Sequence, residues 1–415
     1  MATTTEITGL GLESDTGAIL AAIRVLVVTR LYPPHGVGGY ELTCLDTVER
    51  WRAKGHDVTV LTSDARVPGA RDAGSEPHVR RQLTLLGLAP NGVRVPTAWQ
   101  MRLAVVGDHI SVARLLRRRP DVISVWNPAG LSLGLLGRLE ASGRPLVYVI
   151  SDHWPEYAPS VDPTRHWPLT PWRGPGAQST AVFCSKSLRA RLVRYGFEGH
   201  DSRVVWPGVD RGDFPPVITT DQRPWRWRLL FVGRLAAEKG VATAVRALAH
   251  LPKPSILDIV GHGAPDFVDH LRALATEVGA RDRVRFSVAD RAELSARYAA
   301  ADAVVFPSEW EEPFGLVPLE AMACATPVVA TATGGSGEYL RDGGNCVVFR
   351  AGDEADLANA VQRLAGDPGL RRRLVVAASA TAARFTADRM AAELEAVHLE
   401  ACHRNVAGST TGTPA

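Results

Sequence analysis

Two glutamates eight positions apart, Glu312 and Glu320, lie in the run Glu309-Trp310-Glu311-Glu312-Pro313-Phe314-Gly315-Leu316-Val317-Pro318-Leu319-Glu320. Their carboxylates accept hydrogen bonds and so suit hydroxyl groups. Between them, Pro313 and Gly315 break regular structure. Pro318 fits a first helical turn, and Leu319 to Ala325 are strong helix formers. A helix start behind a glycine-containing loop presents free backbone N–H groups and the positive end of the helix dipole, which suits a phosphate. A ligand with hydroxyls at two places and phosphate between them is a nucleotide sugar. Glu320 alone would do no more than complement the helix dipole. Glu312, the Pro-Phe-Gly loop and the downstream turn Thr333-Gly334-Gly335-Ser336-Gly337-Glu338 make the ligand reading the stronger one.

A second set carries positive charge. Arg234 and Lys239 fall in a loop after a strand and at the next helix start, where an Arg fork and a Lys point charge grip phosphate. Either residue alone would be an ordinary solvated cation; the pair, beside the Glu312 loop, points to charge stabilisation on a departing diphosphate. The chain contains no Asp-x-Asp. Metal-independent catalysis is therefore expected, with no cofactor beyond the nucleotide-sugar co-substrate and no metal site.

The elements that position these residues alternate between strand and helix. Ile23 to Arg30 is a β-branched apolar run of the kind buried in parallel sheets, followed by a loop with Gly38 and Gly39 and a helical pattern ending at Gly55. The two glycines let backbone approach a ligand closely, although a lone Gly-Gly also serves simply to make a turn. Further strands are predicted at Val58–Thr62, Val79–Leu86, Val122–Trp126, Leu146–Ile150 and Ala181–Cys184. A second series runs Arg228–Val232, Ile256–Val260, Val284–Val288 and Ala303–Phe306, with an edge strand at Val347–Phe349. Helices are predicted at Val241–Leu251, Pro265–Val278 and Ala292–Ala300. Gly261-His262-Gly263 makes a further candidate close-approach turn. This alternation implies an α/β chain with two doubly wound parallel sheets and ligands at the strands' C-terminal ends.

Two strand ends in the first half carry candidate acceptor-side residues. One is Trp126-Asn127; the other is Asp152-His153-Trp154, where Asp152 and His153 could orient donor or acceptor hydroxyls. A loop histidine bonded to neighbouring backbone is an equally good account of His153. Tyr157 to Gly176, rich in proline and containing Trp167 and Trp172, is predicted to be a long loop, either an acceptor lid or a segment packed on the sheet edge.

Glu312, Pro313, Phe314, Gly315, Leu316 and Glu320 resemble the Glu-x7-Glu signature of retaining glycosyltransferases of family 4, and Val232-Gly233-Arg234-Leu235-Ala236-Ala237-Glu238-Lys239-Gly240 is similar to that family's G-R-L-x-x-E-K-G segment. Val204 to Asp210 resembles its P-x-G-V-D interdomain crossing. The likeness is specific over about residues 204 to 350 and looser before that. It implies the GT-B fold, two Rossmann-like domains facing a central cleft. It also implies that Glu312 contacts sugar hydroxyls, the Phe314 to Leu316 backbone the sugar and phosphate, and Glu320 the ribose, with the base near Phe286 to Ala289 and Gly38 and Gly39 near the phosphates. In many relatives a His that contacts the transferred sugar stands where this chain has Trp126, so either that contact is lost here or it comes from elsewhere, with the Asp152-His153 strand end as the candidate source.

The expected division is a loose leader over 1–22, an acceptor domain over 23–206, a linker over 207–227 and a donor domain over 228–380. A helix over 381–402 crosses back to the first domain, and a disordered tail covers 403–415. With 415 residues, 46% apolar and 22% charged, the chain has the composition of a globular protein with two ordinary cores. A net charge of +3 argues for neither nucleic acid nor a polybasic anchor. Arg114-Leu115-Leu116-Arg117-Arg118-Arg119 is a local basic cluster, read first as a solvated helix face and second as a contact for acidic lipid or substrate. The five scattered cysteines read as reduced cytosolic thiols. The expected protein is thus a cytoplasmic retaining transferase, using a UDP- or GDP-linked sugar and a small-molecule or lipid-linked acceptor. It carries no transmembrane segment, with peripheral membrane contact left open. The arginine, alanine and valine bias suggests a bacterial gene, with natural-product (antibiotic) biosynthesis as the setting and cell-envelope glycolipid synthesis as the alternative. A nucleotide-sugar epimerase, a phosphorylase and a two-domain sugar-binding protein are the competing readings.

Overall fold

The computed structural model describes residues 22–36, 38–67, 76–87, 97–164, 167, 172, 174–176, 178–197, 201–215 and 224–410, without the side chains of 98 and 405–410. The first half holds strands β1 (Arg24–Val28), β2 (Asp57–Ser63), β3 (Val79–Leu83), β4 (Val122–Val125), β5 (Leu146–Ile150), β6 (Ser179–Phe183) and β7 (Asp201–Val204). Helices α1 (Gly39–Ala53), α2 (Ala98–Leu116), α3 (Leu133–Glu140), α4 (Trp154–Val161) and α5 (Lys186–Arg194) connect them. The sheet order is β3-β2-β1-β4-β5-β6-β7, with every pairing parallel.

The second half repeats the plan. Strands β8 (Arg228–Val232), β9 (Ile256–Val260), β10 (Val284–Ser287), β11 (Ala303–Phe306), β12 (Val328–Ala330) and β13 (Val347–Val348) lie in the order β10-β9-β8-β11-β12-β13, again parallel. Helices α6 (Val241–Ala247), α7 (Pro265–Glu277), α8 (Arg291–Ala300), α9 (Val317–Ala323), α10 (Glu354–Gly366), α11 (Pro368–Ala382) and α12 (Ala387–Thr410) complete it. Strands β4, β5, β6 and β11 are buried along their whole length, as sheets covered by helices on both faces require.

Both strand orders reverse direction once, between β1 and β4 and between β8 and β11. Crossovers leave in opposite senses at such a point, so the loops beyond the strands part and leave a crevice. The loop after β8 carries Arg234 and Lys239, and the loop after β11 carries Glu312. Topology alone therefore puts these residues on the two lips of one crevice.

Several elements differ from the sequence reading. Strands β7 and β12 were not anticipated, because Asp201–Val204 and Val328–Ala330 are too short to show a period. Helix α4 covers the start of the expected long loop; Pro155 suits its first turn, and the Asp152 carboxylate accepts the Trp154 N–H at 3.0 Å. The tail expected to be disordered from His403 continues helix α12 to Thr410. Arg404 ties it to the sheet edge through Asp201 at 2.9 Å and Thr180 at 2.7 Å.

The chain passes between the halves twice, side by side. Val209 N–H donates to Phe385 O and Ala387 N–H to Val209 O. A Cβ on Gly208 would lie 2.1 Å from the Thr386 carbonyl carbon, so only glycine fits between the strands of this double crossing. Helix α12 then lies on the first half: Trp51 Nε1 donates to Ala391 O at 3.0 Å, and His398 reaches the Ser124 hydroxyl at 2.9 Å.

His398 is fully buried, and burial pulls its pKa from 6.5 down to about 4. The unfolded chain then binds more protons between those values, so this residue's contribution to stability is complete above 6.5 and is lost as pH falls towards 4. The effect is at most about 3 kcal/mol. Denaturant melts from pH 7 to pH 4 should show a smaller loss for His398→Gln than for the parent protein over that interval; parallel curves would rule the residue out as the source.

Candidate active site

Glu312 is the centre of the site. It lies in the loop after β11 and is 7% exposed, yet its carboxylate is fully engaged. Lys239 Nζ donates to both its oxygens at 2.8 Å, and Ser308 Oγ and Trp310 Nε1 each donate to Oε2 at 2.8 Å. Lys239 Nζ also sits 4.9 Å from the centre of the Trp310 ring. Three neutral or cationic donors around a carboxylate of low exposure fix it in direction. An ammonium has three N–H groups, and two are used on Glu312, which leaves one for a ligand.

Glycines permit this packing. Gly240, left-handed at φ +66°, would place a Cβ 1.8 Å from Pro307 O, so the turn carrying Lys239 lies directly on the backbone leading to Glu312. On the other side of the loop, a Cβ on Gly335 would come 2.1 Å from Pro313 O.

Arg234, exposed on the same lip, is paired with Glu238 at 2.7 Å. Glu320 lies one helical turn into α9 and accepts the Tyr298 hydroxyl at 2.6 Å. Burial raises its pKa, while Arg291 nearby acts in the opposite direction. Arg291 itself bridges to the first half through Asp46 at 2.7 Å.

Contacts across the crevice show which loops of the first half face it. The His153 ring stacks edge-on against Trp310 with centroids 5.0 Å apart. Cys184 Sγ lies 3.4 Å from Pro313 O, and Arg191 joins Glu156 at 2.6 Å to Glu311 at 2.7 Å. Glu338 accepts both the Ser187 N–H and Trp206 Nε1, each at 2.8 Å. A Cβ built on Gly39 would fall 3.5 Å from Leu316 Cδ1, so the Gly38-Gly39 loop closes on the start of α9. His153, buried and flanked by Arg191, has its pKa lowered by burial first and by that cation second. It is held as the neutral imidazole, a ring with one donor and one acceptor nitrogen.

The structure brings Glu312, Lys239, His153, Gly39 and Leu316 together and removes others from the site. Trp126 is completely buried, its indole N–H donating to Ser124 Oγ at 3.0 Å, so it is a core residue and not an acceptor contact. Trp154 is likewise buried, 5.7 Å from Trp172 and 5.5 Å from Phe197, and Trp172 donates to the Tyr148 hydroxyl at 3.3 Å. These two indoles pack the sheet face, which corrects the acceptor role expected for Trp154 and the lid role for Trp172. Trp167 is described, but much of the proline-rich stretch around it lies outside the described residues. Asn127 and Tyr157 both donate to Asp152 Oδ2, so Asp152 organises its own loop; burial raises its pKa. The Phe314 ring packs on Tyr339 and Phe385, which leaves its backbone for ligand. A Cβ on Gly261 would lie 1.8 Å from Gly233 O, so the neighbouring strand loop already explains that glycine.

Trp310 and Tyr298 were missed as site residues. A lone indole among carboxylates in Glu309-Trp310-Glu311-Glu312, just past a strand end, was the available signal for the first. No sequence signal links Tyr298 to Glu320.

Comparison with known proteins agrees with this geometry. Residues 221–381 match the glycosyl transferases group 1 family, and residues 37–212 match glycosyltransferase family 4. The chain is 30% identical over 392 residues to a glycogen synthase of Mycobacterium tuberculosis, covering 86% of this chain and 89% of that protein. It is 39% identical over 225 residues to a D-inositol 3-phosphate glycosyltransferase of Xylanimonas cellulosilytica, covering 50% of this chain and only 54% of that relative's length. Among solved structures, Anabaena HepE in complex with UDP and glucose superposes with a TM-score of 0.67 at 21% identity, over 90% of this chain and 99% of that one. Two parallel-sheet Rossmann-like domains in this arrangement constitute the GT-B fold.

Proposed function

Because the chain belongs to glycosyltransferase family 4, we propose that its cleft transfers a sugar from a nucleoside diphosphate, with retention at the anomeric carbon and without a metal, to a small-molecule or lipid-linked acceptor. The observation that carries this is the Lys239–Glu312–Trp310 cluster with His153 set against it from the opposite domain. Glu312 holds Lys239 so that its remaining N–H meets the diphosphate, and Arg234 stands on the same lip to add charge. Glu320 receives the ribose hydroxyls. In the reaction the bond from the anomeric carbon to the diphosphate oxygen breaks as the acceptor oxygen bonds on the same face, and the acceptor proton passes to the departing phosphate. Neutral His153 orients the transferred sugar or the acceptor by hydrogen bonding. Fixed cations aimed at the leaving group are worth most in a cleft that excludes water. The HepE structure is a complex with UDP and glucose, which supports testing uridine donors first.

The test is a thermal-shift series with UDP, GDP, ADP and dTDP and their sugar conjugates, with and without EDTA. A ligand that binds only the folded chain raises its melting temperature. One nucleotide class should give a shift that persists in EDTA, and Glu320→Ala should weaken that ligand about tenfold, or about 1.4 kcal/mol. Absence of any nucleotide shift overturns the reading; a shift abolished by EDTA overturns metal independence.

A further inference from the structure

We infer that helix α2 docks the protein on an anionic lipid bilayer, laying Trp99, Leu103, Val106 and Ile110 into the interface with the surrounding arginines against the headgroups. These four side chains are 65%, 66%, 52% and 47% exposed. At 100° per residue their spacing places them within about 60° of one another on the helix. The opposite side, with Val105, Asp108, Val112 and Leu115, is buried against the domain. The helix is thus apolar on two opposed faces, and only one of them has a partner among the described residues. Surface helices of globular proteins carry polar residues on the outer face, so a contiguous outward apolar stripe marks an interaction site.

Charge selects the partner. Arg102 and Arg114 lie exposed beside the stripe, and Arg117, Arg118 and Arg119 are exposed at its C-terminal end. The only acidic residue of α2, Asp108, is buried on the inner face. A convex ridge, about 17 Å from Trp99 to Ile110 at 1.5 Å per residue, with an apolar crest and cations alone for charge, has the form of a helix lying in the plane of an anionic membrane. Among the described residues no helix is long and apolar enough to cross a membrane, so contact of this kind is peripheral. Since α2 follows β3 and leads into the parallel strand β4, it runs antiparallel to the sheet. Its Trp99 end therefore lies on the side of the strands' C-terminal ends, where the cleft opens, and a bilayer on this face lies beside that opening.

The experiment is co-sedimentation of the full chain with vesicles of phosphatidylcholine alone and of phosphatidylcholine with phosphatidylglycerol. Binding to the anionic vesicles should be at least about tenfold tighter than to the neutral ones and should weaken with added salt. Trp99→Ser, Leu103→Ser and Ile110→Ser combined should lower it at least about tenfold with an unchanged melting temperature, and Arg114→Gln with Arg117→Gln should lower it several-fold. No binding to anionic vesicles overturns the inference, as does undiminished binding by the triple variant. A dimer that the triple variant dissociates, without vesicle binding by the parent protein, assigns the stripe to a second copy instead. Vesicle binding is read without donor or turnover, so its failure leaves the transferase assignment standing.

Discussion

Replacing Lys239 with methionine is expected to lower turnover, with the donor that the thermal-shift series selects, at least about a hundredfold, the scale on which single preorganised charge-stabilising groups act, while also destabilising the fold. The two losses have different origins. Methionine keeps most of the volume but leaves Glu312, 7% exposed, with Ser308 and Trp310 as its remaining donors among the described residues, on a carboxylate that had an ammonium on both oxygens. Stranding a buried charge costs about 3 kcal/mol, the lower end of the range because two neutral donors remain. Adding Glu312→Gln removes the stranded charge. The double variant should recover most of the lost stability in urea melts and none of the lost turnover. If turnover returned with stability, Lys239 would be a structural counter-ion and the leaving-group role would fall. If the single variant lost neither, the ion pair would be incidental to both.

How the site could be read in the sequence depends on the range of the interaction. Glu312 and Lys239 were legible because each follows a strand by a fixed short loop, and a doubly wound sheet assigns strand-end loops to its crevice whatever the intervening helices do. That the lysine grips the glutamate was not legible. They are 73 residues apart, and the approach depends on Gly240 lying on the Pro307 carbonyl. The same limit explains Trp126 and Trp154. A tryptophan at a strand end reads equally as a ligand contact or as core, and the decision is made by neighbours such as Ser124, Tyr148 and Phe197 that only the folded sheet supplies.

The contacts that set one domain against the other were the least visible. Asp46–Arg291, Arg191–Glu311 and Glu338–Trp206 pair residues more than 100 positions apart, each an ordinary surface charge or indole in its own segment. The α2 stripe was half visible. The arginine cluster at residues 114 to 119 stood out, whereas Trp99, Leu103, Val106 and Ile110 have the spacing of any buried helix face until the structure shows the core lying on the other side.

Gly240→Ala and Gly279→Ala form a matched pair that separates backbone strain from close packing, and the expected difference between them is large. Both glycines have φ +66°, so an alanine at either position pays the same left-handed penalty of roughly 1–2 kcal/mol. Gly279 follows helix α7 and has nothing within 4 Å of a built Cβ, so its variant should lose about that much and keep full turnover. At Gly240 the new methyl would lie 1.8 Å from Pro307 O and 3.2 Å from Glu309 Oε1, and the first of these is backbone that cannot swing aside. Relief requires the turn bearing Lys239 to move away from the loop bearing Glu312, which adds a further 1–3 kcal/mol or so of overpacking and separates the ion pair. Turnover should therefore fall by at least about tenfold in Gly240→Ala, since displacements of about 1 Å at a positioned group have effects of this size or larger. Equal melting temperatures for the two variants would show that the Gly240 turn is free to shift. The terminal glycine of the Arg234 to Gly240 segment would then owe its place to its dihedral angle alone.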